Sequence, residues 1–361
     1  MASVEWGEYR IDDLFNIYTG RDVIIGKTSP GEIPLISHQN TENGVTRRIE
    51  HISNRRIFHY EETISLADRG VFYATTQNED FHIGTRVKAL VFKDGKKSEN
   101  VRLFFSSAIN KLQILFTDYS SNATDKLPKY KIQLPVLNGQ IDYNFMESFI
   151  EELEAERIEE LEAYLSVSGL KDTQLTADEL SVVNDLISKN IEFKPFCYDV
   201  IFDKIVQGRR LKKDDQITGD IPFVMAGVTN TGVVGYISNP VASFPKNSIT
   251  IDIFGNAFYR NYDFGAGDDT GVYWSEKSDY SKEIMLFLTC SMGKSIENKF
   301  SYGKKLRSSQ SFKFKMQLPV KNEQPDYELM STLISAIQKL VIADVVKFSD
   351  EKIKATKQVV G

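Results

Sequence analysis

Cysteine is all but missing from this chain of 361 residues: Cys197 and Cys290 are its only two, and neither stands in a CxxC pair. A disulfide scaffold and a cysteine-built zinc site are thereby excluded. Adjacent prolines do not occur, so the Asn/Asp-Pro-Pro-Tyr/Phe motif of a methyltransferase is missing. No run approaches the roughly 18 apolar residues that cross a bilayer. The opening Met1-Ala2-Ser3-Val4-Glu5-Trp6 lacks the basic start and apolar stretch of a secretory leader. These absences lead us to expect a soluble protein of a reducing cytoplasm, without a membrane partner. Disorder is excluded by what remains, since 41% of residues are hydrophobic and 11% aromatic. The length suits two or three domains.

The net charge of −6 argues, taken alone, against nucleic acid, but its distribution reverses the argument. Residues 146–192 hold 13 acidic and 3 basic side chains, which leaves the rest of the chain at +4. A local basic surface is what phosphate contact requires.

The chain is written twice. Ile132-Gln133-Leu134-Pro135-Val136, Asp142-Tyr143 and Met146 recur as Met316-Gln317-Leu318-Pro319-Val320, Asp326-Tyr327 and Met330, each 184 residues later. Gly20-Arg21, Gly31-Glu32-Ile33-Pro34-Leu35 and Asn43-Gly44-Val45 match Gly208-Arg209, Gly219-Asp220-Ile221-Pro222-Phe223 and Thr231-Gly232-Val233 at an offset of 188. Ile64-Ser65-Leu66 matches Ile249-Thr250-Ile251 at 185. Constant order with a drifting offset means two homologous domains, because the period is far longer than that of a solenoid. Each copy runs through glycine-punctuated strands, a helical stretch (101–116; 282–292), a basic and aromatic loop, and a Leu-Pro-Val strand.

Each copy closes on a long helix with an acidic cap, Asp142 or Asp326. Residues 142–165 contain neither Gly nor Pro, and Ile150, Leu153, Ile158, Leu161 and Leu165 form an apolar stripe. In the second helix Ile334, Ile337, Val341, Val345 and Phe348 step by three and four, near a coiled-coil seam. Thr176-Ala177-Asp178-Glu179 reads as a capping box that starts another helix. The long helices are either ordinary amphipathic surface helices or an antiparallel pair about a pseudo-two-fold axis. At about 1.5 Å per residue the first spans about 36 Å, near one turn of B-DNA. The expected division is 1–141, a helical spacer 142–192, 193–325, and a closing helix 326–361.

The search for chemistry comes back empty. Gly293-Lys294-Ser295 resembles the end of a P-loop, but the required earlier glycine is Leu288. Asp263-Phe264-Gly265-Ala266-Gly267-Asp268 suggests the glycine turn of an S-adenosylmethionine site, yet it stands without a catalytic motif and reads better as a turn between strands. Glu297-Asn298-Lys299 matches half of a nuclease site, with no counterpart in copy one. The histidines His38, His51, His59 and His82 have no cysteine near them and read as polar or hydrogen-bonding residues rather than metal ligands.

Recognition remains. Both copies interleave cations with aromatics, Arg55-Arg56 and Phe72-Tyr73 in copy one and the dense run 299–315 in copy two. Lys and Arg neutralise phosphates, while Arg, Lys, Asn and Gln read base edges. Candidate DNA contacts are Arg47, Arg48, Arg69, Gln77, Arg86, Lys126 and Lys129 in copy one. Copy two offers Arg209, Arg210, Lys212, Arg260, Tyr302, Lys304, Lys305 and Arg307. A solvated basic face is the plainer reading of any single cluster, and a duplicated adaptor for carbohydrate or protein is the alternative for the whole.

Certain motifs resemble a known family: Leu14-Phe15-x-Ile17-x-x-Gly20-Arg21, Gly31-x-Ile33-Pro34-Leu35-Ile36-Ser37, Gly255-Asn256-Ala257-Phe258-Tyr259 and Tyr302-Gly303-Lys304-Lys305-Leu306-Arg307. In this order, twice, each time before a long helix, they resemble the specificity subunits of type I restriction–modification systems and the related BcgI-type type II subunits. The resemblance implies an α/β (α+β) fold. Two homologous target recognition domains would be related by pseudo-two-fold symmetry and joined by helices forming an antiparallel coiled coil. It also implies double-stranded DNA as ligand and no catalysis by this chain. The helices, through Ile150, Leu153, Ile158, Leu161, Ile334, Ile337, Val341 and Val345, would dock methyltransferase subunits. A restriction/translocase subunit, or one chain fusing restriction with methylation, would complete the assembly. S-adenosylmethionine, ATP and Mg would then belong to partners. The length, the end of the final helix at Gly361 and the compact 101–116 stretch lean toward the BcgI-like group. Thr75-Thr76-Gln77-Asn78 against Arg260-Asn261-Tyr262-Asp263 predicts two different half-sites.

Overall fold

The computed structural model describes residues 4–68, 71–116, 126–239 and 243–360, with side chains through residue 354. Copy one begins with β1 (Glu5–Arg10), the one-turn α1 (Ile11–Leu14), β2 (Phe15–Thr19), β3 (Pro30–Ile36) and β4 (Val45–Ile49). It continues through β5 (Thr63–Asp68), β6 (Phe72–Thr75), β7 (His82–Ile83), β8 (Val87–Phe92), α2 (Glu99–Asn110), β9 (Lys131–Leu137) and β10 (Gln140–Ile141) to the long α3 (Tyr143–Val167). After α4 (Ala177–Ile187), copy two repeats the series. Its elements are β11 (Phe193–Cys197), α5 (Tyr198–Ile201), β12 (Lys204–Gln207), β13 (Thr218–Val224), β14 (Val233–Ile237), β15 (Ser243–Phe244) and β16 (Ser248–Asp252). They end with β17 (Ala257–Arg260), β18 (Phe264–Ala266), β19 (Thr270–Trp274), α6 (Lys282–Ile296), β20 (Lys315–Lys321), β21 (Gln324–Pro325) and α7 (Tyr327–Val360).

The two copies share one topology. The sheet β2-β8-β5-β6 corresponds to β12-β19-β16-β17, β4-β3-β7 to β14-β13-β18-β15, and β1-β9-β10 to β11-β20-β21. The central strands β5 and β8 are buried at every position, β8 as a mostly apolar run and β5 with Thr63, Ser65 and Asp68 buried among its apolar residues. Lys88, within β8, is tolerated there because its ammonium meets the buried Asp68 carboxylate at 3.3 Å and the Thr19 hydroxyl at 2.9 Å. The repeated Gly-Arg has a steric cause. A Cβ on Gly20 would lie 1.9 Å from the Gly84 carbonyl oxygen, and one on Gly208 would lie 2.2 Å from that of Gly267.

The helix caps repeat as well. Ser98 and Ser281 each accept the backbone N–H three residues on at 3.3 Å. The Asp142 carboxylate accepts from Phe145 N at 2.9 Å, and that of Asp326 from Leu329 N at 3.0 Å. The capping box at Thr176 and Glu179 forms as its spacing predicted.

Two readings need correction. The glycine-rich segment is a turn only in part: Phe264–Ala266 forms β18, which pairs in parallel with β13, and the turn to β19 follows at Asp268 and Asp269. A Gly-rich segment can make this close strand contact because it carries little side-chain bulk. The chain does contain a segment meeting the bilayer test: α7 has an 18-residue window of mean hydropathy 1.7, enough by length and composition alone to cross a membrane. Charged residues interrupt it, which hides it from a count of consecutive apolar positions. By its contacts the chain falls into two units, one of residues 1–161 with 353–361 and one of 162–352.

Candidate nucleic-acid interface

Both copies make the same strained turn ahead of β4 and β14. Glu42, Asn43 and Gly44 take φ of 47°, 52° and 82°, and Asn230, Thr231 and Gly232 take 47°, 51° and 85°. Left-handed backbone suits glycine and tolerates Asn, but for Glu and the β-branched Thr it costs about 1–3 kcal/mol apiece. Each turn is held from the sheet. The Gln77 amide donates to the Asn43 carbonyl at 2.9 Å and reaches Thr75 Oγ1 at 3.2 Å. In the equivalent place the Arg260 guanidinium donates to the Thr231 carbonyl at 2.6 Å, to Thr231 Oγ1 at 3.0 Å and to Thr250 Oγ1 at 3.0 Å. Charge-assisted hydrogen bonds of about 1.5–3 kcal/mol each offset strain of that size. Burial pulls the Arg260 guanidinium below its usual pKa, with Tyr262 opposing.

This corrects two candidate contacts. Gln77 and Arg260 are 4% and 1% exposed, so their side chains latch the turns from within and present no free edge to a base. Arg102 in turn donates to the Gln77 carbonyl at 2.8 Å. Sequence reasoning missed this role, although the shared place of Gln77 and Arg260 after β6 and within β17, each following a Gly-terminated turn, carried the signal.

The other candidates lie at the surface to differing degrees. In copy one Arg48 is exposed but ion-paired to Glu79, which holds that carboxyl below its usual range. Arg47, half-buried, donates to the Ile25 carbonyl at 3.3 Å. Arg86 is half-buried at φ 62°, and Lys126 and Lys129 are exposed. Arg69 lies outside the described residues. In copy two Arg209, Arg210 and Lys212 are exposed. Arg209 and Arg307 both bind the segment after β18: the Arg209 backbone N–H donates to the Ala266 carbonyl at 2.9 Å, and the Arg307 guanidinium donates to the Asp268 carbonyl. Tyr302, Lys304 and Lys305 form one projecting hairpin closed by a Ser301–Lys304 bridge. Tyr302 is 82% exposed there, with the Lys305 ammonium 4.8 Å from its ring centroid.

The surfaces beside the shared turns differ. The exposed positions of β4 are Thr46 and Arg48, and those of β14 are Val234 and Tyr236. One scaffold therefore presents a polar, cationic ribbon in copy one and an apolar, aromatic one in copy two.

On the helices, Ile150 belongs to the copy-one core at 8% exposure rather than to a docking face. Leu153 is exposed, and Ile158, Leu161 and Ile334 are half-buried. On α7 the packed face is Leu333, Ala336, Val346 and Ser349, while Ile337, Val341 and Val345 belong to an open stripe with Leu340 and Phe348. Among the described residues no group of three or more His, Cys, Asp or Glu is placed to hold a metal ion.

Comparison with known proteins agrees with this duplicated architecture. Residues 3–163 and 190–347 each match the type I restriction modification DNA specificity domain. The type II restriction enzyme specificity subunit S.BcgI of Heyndrickxia coagulans is 24% identical over 347 residues, which cover 94% of this chain and 96% of that one. The crystal structure of the type I restriction–modification S subunit from M. genitalium superposes with a TM-score of 0.62 at 15% identity, covering 99% of this chain and 95% of that one. This chain belongs to the type I restriction–modification DNA specificity family and carries its domain twice.

Proposed function

We propose that this chain selects the DNA sequence for a restriction–modification complex, each copy reading one half of an asymmetric bipartite site. The observation that carries this is the pair of equivalent latched turns flanked by unlike surfaces, Thr46 and Arg48 against Val234 and Tyr236. Arg suits the acceptor edge of guanine, and apolar side chains suit the thymine methyl, so identical half-sites are disfavoured. The chain itself supplies recognition. Adenine methylation and cleavage fall to partner chains, which hold S-adenosylmethionine and, for cleavage, Mg and ATP. Similarity to the S.BcgI specificity subunit along nearly the full length supports a partner in which methylation and cleavage share one chain. The free thiols Cys197 and Cys290 suit a reducing cytoplasm.

The test is single-molecule sequencing of adenine methylation in the source genome with and without this gene. Loss of one bipartite motif with unequal halves is expected. Survival of every methylated motif in the deletion strain would overturn the reading.

A further inference from the structure

Copy one carries a cationic cleft. It measures about 460 Å³ and is lined by Tyr18, Arg21, Asn54, Arg55, Arg56 and Phe58 among others, with no carboxylate in its lining. The Arg56 guanidinium lies 4.2 Å from the Tyr18 ring centroid and 5.1 Å from that of Phe58. Stacking fixes the plane of the guanidinium and leaves its N–H edge open. Among the described residues neither Arg56 nor Arg21 has a side-chain hydrogen bond or ion pair. Arg55 is tied by its Nη atoms to Asn54 at 3.3 Å and to the Asp22 carbonyl at 3.2 Å, yet its Nε is buried without a partner among the described residues.

The loop bearing these arginines is held in place. His82, buried beneath it, takes the Ile52 N–H on Nε2 at 3.3 Å and donates from Nδ1 to the Arg56 carbonyl at 3.0 Å. Arg21, Arg55 and Arg56 therefore line one prepared cleft, in which the Arg21 and Arg56 guanidiniums keep unused donors among the described residues. Like charges so placed repel, and an anion relieves the repulsion while taking the donors.

We infer that this cleft grips a phosphodiester of the DNA backbone beside the copy-one half-site. The inference rests on the DNA-specificity reading and adds a contact that positions without reading sequence. Copy two differs in sequence at the equivalent place. Val206 stands where copy one has Tyr18, and the connection between Ile237 and Ile249 is shorter than that between Ile49 and Ile64 and contains no arginine.

The experiment measures DNA affinity of the full chain with its methyltransferase partner across a salt series. Cognate and scrambled duplexes are compared for the unmodified chain, R21Q, R56Q and the double variant. Among the described residues the Arg21 side chain makes no hydrogen bond or ion pair to lose, so R21Q should keep the fold, and thermal unfolding checks both variants. The slope of log K against log salt should shallow by about 1 in each single variant, and by more in the double, with the cognate-to-scrambled ratio unchanged. Phosphate-ethylation interference should weaken at one position flanking the copy-one half-site. An unchanged slope and unchanged interference in the double variant would overturn the inference while leaving the DNA reading intact. So would a changed ratio at an unchanged slope, which makes the cleft a base reader. If the unmodified complex bound DNA without salt dependence, the DNA reading itself would fall.

Discussion

The Arg260 guanidinium donates to the Thr231 carbonyl at 2.6 Å and so holds a β-branched residue at φ 51°. Removing the latch releases the strained turn and leaves the Thr250 hydroxyl without its donor. R260A should destabilise copy two by roughly 2–4 kcal/mol. Urea unfolding should show a lower midpoint at unchanged slope. An unmoved midpoint would show that the turn holds itself.

Glu179 ties α4 to α7 within one unit. Its carboxylate accepts from the Ser335 hydroxyl at 2.6 Å, the Thr176 N–H at 2.8 Å and the Lys339 ammonium at 3.1 Å. Those contacts, led by Ser335, lower its pKa from 4.5 to about 2. A depressed carboxyl contributes stability above its unfolded pKa and loses it as pH falls through the folded one. The loss should therefore run from about pH 4.5 down toward 2. E179Q should flatten that part of the stability–pH curve, and an unchanged curve would assign the acid sensitivity elsewhere.

His82 gives the chain a second pH dependence, this one in copy one and in a different window. Burial, the leading cause, lowers its pKa from 6.5, and Nε2 must stay unprotonated to accept the Ile52 N–H. The unfolded chain then binds the proton more readily, so stability is full above about pH 6.5 and declines below it. Hydrogen exchange at Ile52 should quicken between neutral and mildly acidic pH. H82N should exchange fast throughout, and slow exchange in that variant would remove His82 from the account.

If the proposed methyltransferase partner docks on the open stripe of α7, docking and folding can be separated by mutation. Val341 is 74% exposed and Ala336 is fully buried. V341E should leave unfolding within about 0.5 kcal/mol of the unmodified chain yet abolish co-purification with the methyltransferase partner. A336E should unfold the closing helix. Retained co-purification of V341E would move the docking face elsewhere.

Exchanging residues 1–141 for the same region of a relative should change one half of the methylated motif and leave the other. Methylation sequencing of the hybrid reads this directly, and alteration of both halves would count against independent readers.

Features whose cause lies within a few residues were legible in the sequence. The caps at Asp142, Asp326 and Thr176 formed where spacing placed them, because a cap needs only its own first turn. Gly20 and Gly208 were visible as a repeat, although the reason, the approach of Gly84 and Gly267, needed the folded chain. Helical periodicity found the apolar content of α3 and α7 but not which face is covered. Ile150 entered the core and Val341 stayed open because neighbouring elements decide that.

The sequence by itself determined the duplication, the order of elements in each copy and the absence of a catalytic motif, since all three are carried by residue identity and spacing along the chain. Only the tertiary structure decided what the polar residues do. Gln77 and Arg260 look like reading residues when judged by charge and position. They are buried because β5 and β16 lie beside them and the turns at Asn43 and Thr231 fold over them. Arg21 stands far along the chain from the adjacent pair Arg55-Arg56, and the three line one cleft through the packing of β2 against the loop held by His82. Charge is a property of a residue, but burial and convergence depend on segments far along the chain that come to lie beside it.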